Sequence, residues 1–583
     1  MNRILIRIIN NRIFFIVLYG VILALGLIPY YTDGTIILGG EANHTLSFSN
    51  FLQKAGYTWL YYDGLGMPNL NLSGIGANII FLRLVERLTG SVAVTNFVFV
   101  FLLYFLPFLG FYLIASELKL KPFVSFLLSS FYAINPFMQM YISALNQWNT
   151  SSIIIMPIFF FLILRYHSHN IKLFFFYGIT SAIFSFAFTN PPTHLVIHIS
   201  TLLSICIISY YRNKQFNILD IFKKSTLVFC AFILFNVWWL ISVFYFLRYA
   251  VSMYQYSFAS SWLTTVVSNA GPILAKAFLL LTFISGGEHS LNTDAFYFSQ
   301  SLFIIISIIP ILLILVSIFY LEIKERAISI YILIIVLLAM FFMKGPKAPF
   351  GIVYALLFRY APLFYVFKTP DEKFGTIYIF FFSLLLLFVL KSYKRQRHYK
   401  FATVFISAYL LFCFIPVFTG KLIPEYGNEL FGIASRKFQD KPEYRMLRDY
   451  INNEEPIYRV LSLPAMHNYQ MLFPNYGGKN YMGAAMTMYN LNKSYLSTAH
   501  GFVGLFFQHK STPLKFLKKV YGIFNIKKII IDGNLLPWFG YLGDSNAKDL
   551  QNIFRNNFPE KEIGNFVVYD NYEEFKPIIY SAK

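Results

Sequence analysis

Few side chains in this sequence could do chemistry, because Lys, Arg, Asp and Glu together make up only 13% of its 583 residues. A carboxylate can accept a proton from a reacting hydroxyl. An arginine can hold a phosphate through two parallel hydrogen bonds, and a lysine can hold it as a point charge. Where such groups stand beside long apolar runs, they are candidates for a functional site.

One set of candidates follows the first apolar run. Asp33 and Glu41 are eight residues apart, and a Gly-Gly pair comes directly before Glu41. His44 follows Glu41 by three residues, so these two would share one face of a helical turn. A loop at the membrane surface with solvated acids is the competing interpretation.

A second set lies in residues 358–374, FRYAPLFYVFKTPDEKF, which contain Arg359, Lys368 and Lys373. These cations could hold an anionic group at headgroup depth, or could anchor the chain by reaching to lipid headgroups. His194 ends the sequence NPPTH. The two prolines there interrupt a helix and leave polar backbone, which must be surrounded by protein or by a water-filled cavity.

The composition assigns these residues to a membrane protein. Hydrophobic residues make up 57% of the chain and aromatic residues 20%, and the mean hydropathy is +0.57. A soluble domain carries about 25% charged residues, roughly twice the fraction in this chain. We therefore exclude a soluble enzyme and a disordered protein, and we predict a polytopic α-helical membrane protein.

Eleven apolar stretches are predicted to span the membrane, most of them near the length of about 17–25 residues that the hydrocarbon core requires. They are Ile13–Tyr30, Val92–Ala115, Phe123–Ala144, Ser151–Leu164, Leu173–Thr189, Leu195–Tyr211, Leu227–Leu247, Leu302–Leu321, Ile328–Met343, Gly375–Leu390 and Phe401–Phe418.

The distribution of charge predicts the orientation of these spans. The N-terminal segment and alternate loops hold 18 Lys and Arg residues against four acids, which by the positive-inside rule makes them cytoplasmic. The N-terminus is then cytoplasmic and the C-terminal region external, in a multi-pass protein of the plasma membrane. Most of the net charge of +21 is thereby a topology signal, and we predict no nucleic-acid partner.

Two domains are predicted. Residues 1–419 form the transmembrane domain, whose first external loop spans 31–90 and includes an amphipathic helix near Asn78–Leu88. Residues 420–583 have soluble composition and form an external α/β domain. Its expected elements are an amphipathic helix within Leu430–Asn452, strands at Tyr458–Leu463, Ile526–Ile531, Phe566–Tyr569 and Ile578–Tyr580, and helical stretches near Pro513–Val520 and Asn546–Phe554.

Three segments together resemble a known family. The acidic residue after Gly-Gly is followed by a W-x4-GLG-x-PN segment that begins at Trp59. Residues 358–374 resemble the P-x-F-x-x-F-R/K-x-P-x-K/R-F element of YfhO-type membrane proteins and of the membrane arabinofuranosyltransferases of mycobacterial cell walls. YRVLSLP, FNIKKIIIDG and VVYDNYEEFKPIIYS resemble the end of the YfhO external domain. In order and layout, the chain is similar to the GT-C superfamily of integral-membrane glycosyltransferases.

The resemblance implies an enzyme that takes a sugar from a polyprenyl-phosphate donor on the outer face of the membrane. The acceptor would be a cell-envelope glycan, a glycolipid or a glycoprotein. The general base would be Glu41 first and Asp33 second. The donor phosphate would be bound by Arg359, Lys368 and Lys373, with His44 and His194 as further candidates. The resemblance specifies no cofactor, and a divalent metal stays open because Glu41 has no acidic neighbour of the kind many relatives have.

Two other functions stay open at this point. A polytopic transporter or a lipid-linked-sugar flippase would explain the spans, although it explains the external domain less well, and no paired half-chain symmetry is visible. A catalytically inactive subunit of glycan assembly would keep the fold without the chemistry.

Overall fold

The structure is a computed structural model, and the residues that it describes cover most of the apolar helices and parts of the C-terminal region. They are residues 11–32, 35–37, 47–49, 52, 59–60, 67–68, 76–143, 147–188, 190–213, 215–258, 310–312, 314, 321, 323–347, 349–362, 364–367, 370–392, 396–420, 425–428, 432–435, 437–439, 442–454, 458–463, 471–474, 479–483, 494–496, 518, 521–522, 525–533, 551–552, 554–555 and 558–571.

Fourteen helices of eight residues or more occur among these residues. They are α1 Arg12–Leu27, α2 Ala77–Thr89, α3 Val92–Glu117, α4 Pro122–Ile134, α5 Pro136–Ser143, α6 Gln147–Tyr166, α7 Asn170–Ile183, α8 Pro191–Asn213, α9 Ile218–Phe258, α10 Ile323–Met343, α11 Gly351–Tyr360, α12 Pro370–Ser392, α13 Gln396–Phe418 and α14 Pro442–Asn452.

The prediction of a polytopic helical membrane protein is confirmed. Within the described ranges, seven segments are helical, long and apolar enough to cross a membrane, and each overlaps one predicted span. Three more predicted spans, the third to the fifth, correspond to the shorter apolar helices α4, α6 and α7. The predicted span Leu302–Leu321 lies almost wholly outside the described residues.

The third predicted span, Phe123–Ala144, was wrong as a continuous helix. It is divided into α4 and α5 at Asn135, which has extended backbone. The residue before a proline avoids helical dihedral angles, and Pro136 follows here. The Asn135 side chain bonds the backbone on both sides, donating to the Tyr132 carbonyl at 2.8 Å and accepting from the Met138 amide at 3.1 Å. The break is therefore satisfied internally.

A second difference concerns the tyrosine-rich segment Val251–Trp262, which follows the predicted span Leu227–Leu247 and lies outside it. Helix α9 is 41 residues long and continues to Phe258, so the first eight residues of this segment are helical. The length of the apolar run predicted only the part of the helix that suits a membrane. The helical conformation extends beyond that part.

The chain divides into two compact units. The first comprises Met1–Pro29, Ser73–Asn78 and Val98–Pro424, and the second comprises Tyr30–Leu72, Ile79–Phe97 and Glu425–Lys583. The C-terminal part of the second unit begins close to the boundary expected at residue 420. Most of the loop 31–90, which the sequence grouped with the membrane domain, belongs to the second unit.

Helix α12 is the central helix of the first unit. An 18-residue apolar stretch of this helix is completely buried inside the protein. Its Phe380 ring lies 6.1 Å from Tyr132 of α4 and 6.0 Å from Phe160 of α6, and its Phe374 ring stacks on Phe342 of α10 at 5.1 Å. A helix that is apolar on every side suits such a position, because it packs against other helices all round.

The second unit contains the described strands. They are β1 Thr35–Ile37, β2 Trp59–Leu60, β3 Met67–Pro68, β4 Glu425–Asn428, β5 Gly432–Ser435, β6 Lys437–Gln439, β7 Arg459–Leu463, β8 Met471–Pro474, β9 Lys479–Gly483, β10 Ser494–Leu496, β11 Ile526–Asp532, β12 Glu560–Ile563 and β13 Phe566–Asp570.

A five-stranded sheet in the order β10-β7-β11-β13-β12 is the largest of those described. Strand β7 pairs in parallel with β10 and β11, whereas β13 pairs antiparallel with β11 and β12. Every residue of β7 and β13 is buried, as expected for the apolar runs of a sheet covered on both faces. Strands β7, β11 and β13 confirm three predicted strands, and α14 confirms the predicted helix; the strand expected at Ile578–Tyr580 lies outside the described residues.

A four-stranded sheet in the order β4-β5-β9-β8 and two two-stranded sheets, β2-β3 and β1-β6, complete the second unit as described. Its hydrophobic core includes Ile36 of β1 together with Phe438 of β6, Tyr444 and Leu447 of α14, and Phe566 of β13. A residue of the first loop therefore belongs to the same core as the C-terminal elements.

Candidate functional site

Three of the seven predicted site residues have described positions. Arg359, Lys373 and His194 lie on helices α11, α12 and α8. The other four, Asp33, Glu41, His44 and Lys368, lie outside the described residues.

Strand β1 occupies the segment between Asp33 and Glu41 in the sequence. It pairs antiparallel with β6, with Thr35 opposite Gln439 and Ile37 opposite Lys437. The Thr35 hydroxyl donates to the carbonyls of Tyr30 at 3.0 Å and Thr32 at 2.8 Å. These hydrogen bonds join Thr35 to the backbone of Tyr30 and Thr32.

Asn96, in the second turn of α3, binds the other end of this strand. Its Oδ1 accepts from the Ile37 amide at 3.1 Å, and its Nδ2 donates to the Ile37 carbonyl at 2.8 Å. The hydroxyl of Tyr31 also donates to Oδ1, at 2.9 Å. Asn96 has an exposed fraction of 0% and Ile37 of 1%, so these hydrogen bonds are shielded from water.

Helix α2 confirms the amphipathic helix expected near Asn78–Leu88. Leu82 is buried, whereas Ile80 and Leu84 on another face are exposed. Glu86 accepts two hydrogen bonds from Ser49, from its amide at 2.8 Å and its hydroxyl at 2.9 Å. This contact joins α2 to an earlier part of the first loop and engages the Oε2 atom of Glu86.

The segment between Arg359 and Lys373 is held by aromatic contacts. The hydroxyl of Tyr354 on α11 donates to the carbonyl of Phe367. The Phe364 ring lies 5.3 Å from both the Tyr354 and Phe367 rings, and Phe374 lies 4.9 Å from Phe367. The phenylalanines of the family-like element therefore form its scaffold and fix the ends of α11 and α12.

The two described cations of this segment differ in environment. Arg359 is exposed in the last turn of α11, with its guanidinium 5.4 Å from the Tyr360 ring centroid. Lys373 is only 6% exposed, and its Nζ lies 3.2 Å from Oε2 of Glu372. Arg359 is accordingly accessible to a ligand, and the charge of Lys373 is partly balanced by its neighbour.

His194 has a histidine partner that the sequence reading missed. Its Nε2 lies 2.7 Å from Nε2 of His198, one turn further along α8, so one ring nitrogen donates to the other. The Phe188 and Phe232 rings lie 5.2 Å and 5.3 Å from the His194 ring. The spacing of four residues could have identified this pair, because residues i and i+4 share a helix face.

Asn96 was also missed, although the sequence contains a signal for it. It is an amide in the apolar run VAVTNFVFVF, and a polar residue in such a run needs a specific partner. The identity of that partner depends on the position of β1, which is 59 residues away in sequence.

A divalent metal has no evident site in the part of the chain that the structure describes, where no group of three or more His, Cys, Asp or Glu side chains is close enough to hold one. The two candidate carboxylates Asp33 and Glu41 are outside that part.

Comparison with solved structures finds a similar fold. The mycobacterial arabinofuranosyltransferase AftD matches with a TM-score of 0.62 and 11% identity, over 96% of this chain and 40% of AftD. Two classes of an AftD point mutant match with TM-scores of 0.57 and 0.52, at 11% and 12% identity; they cover 96% and 90% of this chain and 42% and 36% of theirs.

No protein-family model matches the sequence, and no curated protein matches it. The chain spans about two fifths of the length of AftD. At 11% identity the likeness concerns the fold, and it agrees with the resemblance that the three sequence segments carry. In fold, this chain is similar to the mycobacterial arabinofuranosyltransferase AftD.

Proposed function

We propose that this protein is a membrane glycosyltransferase that moves a sugar from a polyprenyl-phosphate donor to a glycan, glycolipid or glycoprotein acceptor on the external face of the plasma membrane. The observation that carries the proposal is the fold match to AftD along 96% of the chain. A multi-pass helical fold with a first loop anchored by its own strand supports it, because transfer needs a carboxylate held beside a lipid headgroup.

In this proposal Glu41 is the general base, and Asp33 is the second candidate. An acceptor hydroxyl is a weak nucleophile, and a carboxylate within hydrogen-bond reach removes its proton as the new glycosidic bond forms. The attack breaks the bond between the sugar and the lipid phosphate, which leaves as an anion. Support comes from β1, which lies between Asp33 and Glu41 in the sequence, pairs with β6 and is bonded to Asn96.

The departing lipid phosphate needs positive charge, and we assign this role first to Arg359 and Lys368. Exposure of Arg359 and the fork geometry of a guanidinium favour a bidentate phosphate contact. Lys373 and His44 are secondary candidates. His194 is the least favoured, because its Nε2 already faces His198.

The proposal is tested in proteoliposomes that contain the full chain, a synthetic polyprenyl-phosphate arabinofuranose and an arabinofuranosyl oligosaccharide. We expect Glu41→Gln to lower the transfer rate by about 100-fold or more, the range for loss of a general base. Asp63→Asn is the matched control in the same loop, and its rate should stay near that of the unmodified protein. Adding EDTA decides whether a divalent metal takes part.

Two results would count against the proposal. Transfer at the normal rate by the Glu41→Gln protein would remove Glu41 as the base. Absence of transfer from a whole panel of polyprenyl-phosphate sugars, combined with movement of the lipid-linked sugar across the bilayer, would favour a flippase.

A further inference from the structure

Helix α2 is apolar on two faces. Ile79 and Leu82 are buried in the protein, with exposed fractions of 3% and 1%. The opposite face carries four large apolar side chains, each between 47% and 77% exposed. These four residues, called the α2 stripe below, are Ile80, Phe81, Leu84 and Leu88. Their spacing places them along one side of the helix. A contiguous exposed apolar surface of this kind marks contact with a membrane or with another protein.

Helix α14 of the same unit shows that this exposure is not a general property of its surface helices. Tyr444 and Leu447 are buried on one face of α14. On its exposed face Met446 stands between two charged residues, Arg445 and Asp449. Such a face suits water. The α2 stripe does not, because its large exposed side chains are all apolar.

The chain places α2 at the surface of the membrane. Helix α3, which is long and apolar enough to span it, begins at Val92. Thr89, the last residue of α2, is therefore at most about 11 Å away. Gly90 ends α2 in a left-handed conformation with a φ of +60°, and its amide donates to the Glu86 carbonyl at 2.9 Å. Because the helical path is broken there, α2 can lie along the surface beside the point where α3 enters.

Two arginines flank the α2 stripe on one side. Arg83 and Arg87 are four residues apart and thus share a helix face. Within the described ranges, neither side chain forms an ion pair or a hydrogen bond, and the Nε atom of Arg83 is buried without a partner. A guanidinium matches the oxygens of a phosphate, so these two side chains favour an anionic lipid as the molecule that covers this surface.

We infer that α2 binds anionic phospholipids, with its stripe among the acyl chains and Arg83 and Arg87 on the lipid phosphates. In the predicted orientation this is the external leaflet. An amphipathic helix of this kind buries its apolar face about 5–10 Å deep at the boundary between headgroups and acyl chains, and attraction to anionic lipids adds to its binding. The inference goes beyond the proposed function, because it does not depend on sugar transfer.

The first experiment measures insertion at one residue of each helix. The three native cysteines are replaced by alanine, and an environment-sensitive fluorophore is attached to the new cysteine of a Leu84→Cys or a Met446→Cys protein. Each full-length protein is placed in nanodiscs of phosphatidylcholine and phosphatidylglycerol in which part of the lipid carries a spin label on an acyl chain. We expect the labelled lipid to quench most of the fluorescence at residue 84 and little at residue 446.

The second experiment uses the fluorophore at residue 84 to measure which lipid surrounds α2. Quenching by spin-labelled phosphatidylglycerol is compared with quenching by phosphatidylcholine labelled at the same acyl position. The test protein carries Arg83→Gln and Arg87→Gln. The charge-matched control carries Arg448→Gln and Arg555→Gln, because those two arginines already face acids at 2.9 Å and 3.3 Å.

We expect phosphatidylglycerol to be enriched around α2 in the protein that carries only the fluorophore and in the control. The enrichment should fall by about fivefold for each of Arg83 and Arg87 that is removed.

Hydrogen exchange gives an independent measurement in a chain that keeps its native cysteines. The peptide that covers residues 77–89 should exchange more slowly in nanodiscs that contain phosphatidylglycerol than in nanodiscs of phosphatidylcholine alone, because bound lipid opposes local opening of the helix. This difference should disappear when both arginines of α2 are replaced by glutamine, and it should remain in the charge-matched control.

Equal quenching at residues 84 and 446 would overturn the inference, because the α2 stripe would not lie in the bilayer. Shielding of residue 84 by a second copy of the chain, detected as a dimer by mass measurement, would make the stripe a protein interface instead. Enrichment of phosphatidylglycerol that survives the loss of both arginines would show that they do not bind its phosphate. Stronger quenching by spin-labelled polyprenyl phosphate than by phosphatidylglycerol would assign the arginines to the sugar donor and would also overturn the inference.

Discussion

Buried polar side chains find their partners differently in the two units. In the helices of the first unit, many hydroxyls bond back to a carbonyl four residues earlier; Ser129 donates to Ser125 at 2.6 Å and Ser204 to Ser200 at 2.6 Å. In the second unit the partners of Asn96 and Lys528 are distant in sequence, as is Ser181 from Asn236 in the first unit. Asn96 and Ile37 are 59 residues apart, and Lys528 and Asp570 are 42.

The difference teaches which parts of the protein depend on tertiary structure. A hydroxyl that bonds its own helix is satisfied wherever the helix packs. An amide or ion that needs a distant partner is satisfied only when two remote segments have reached their places. Loss of a polar group should therefore disturb the second unit more than the first.

The largest effect is expected at Lys528, which has an exposed fraction of 0%. Its Nζ lies 2.7 Å from both Glu454 Oε1 and Asp570 Oδ1. Lys528→Met would remove the cation that pairs with Asp570 and would leave Glu454 with Lys527 alone. Loss of one partner of a buried ion pair destabilises by about 3–5 kcal/mol. Hydrogen exchange on β11 and β13 in the full chain measures the fall in the local free energy of opening.

Lys561→Met is the matched control for this change. Lys561 is exposed, and its Nζ lies 4.0 Å from the Tyr450 ring centroid. An exposed contact of this kind contributes about 0.5–1 kcal/mol. Equal losses of the local free energy of opening for Lys528→Met and Lys561→Met would contradict the importance of long-range ion pairs in the second unit.

A smaller effect is expected from acid. Burial alone would raise the pKa of Glu454, but hydrogen bonds from Lys527 and Lys528 outweigh it and hold this pKa below its ordinary value of 4.5. The unfolded state then binds the proton first, so this contribution is complete above pH 4.5 and is lost as the pH falls below that value. Exchange on β11 between pH 6 and pH 3 measures the loss, after correction for the intrinsic pH dependence of exchange.

Glu454→Gln provides the control for the acid experiment. The variant lacks the titrating group, so the part of the pH dependence that Glu454 supplies should disappear. An unchanged profile would assign the acid sensitivity to other carboxylates.

The smallest effect is expected among the helices of the first unit. Asn236 of α9 donates to Ser181 of α7 at 2.7 Å and accepts from Trp239 at 2.9 Å. Hydrogen bonds between membrane helices average about 0.6 kcal/mol in double-mutant cycles. We expect a coupling energy of about 0.6 kcal/mol between Asn236→Leu and Ser181→Ala, measured by unfolding in detergent. The locally bonded Ser129→Ala should lower the free energy of unfolding by less than about 0.5 kcal/mol.

A loss of several kcal/mol on Ser129→Ala would contradict the proposed difference between the units. A coupling energy between Asn236 and Ser181 as large as the loss of stability on Lys528→Met would show that contacts between remote residues matter equally in the two units.

Much of the helical fold could be predicted from the sequence because apolar length and helix punctuation are local properties. The run from Val92 to Ala115 predicted α3 closely. The break at Asn135 was missed although an Asn-Pro step marks it, because the apolar run on both sides suggested one continuous span. That α12 is central was not predictable, since lipid and neighbouring helices favour the same apolar side chains.

The candidate site was predicted only as a set of residue types. The segment 358–374 predicted both Arg359 and Lys373 as candidate phosphate-binding cations. The exposure of Arg359 and the ion pair of Lys373 with Glu372 depend on packing. The pairing of β1 with β6 joins segments about 400 residues apart, and no local signal specifies such a pairing.

Hydrophobicity and periodicity act over one helix or one strand at a time, so they were enough to predict a multi-span helical protein with a C-terminal region of mixed strands and helices. Tertiary structure decided that the first loop shares a core with the C-terminal elements and that Asn96 holds its strand. The physical reason is that a short strand and a buried amide are stable only when their backbone and side-chain hydrogen bonds are completed by a remote part of the chain.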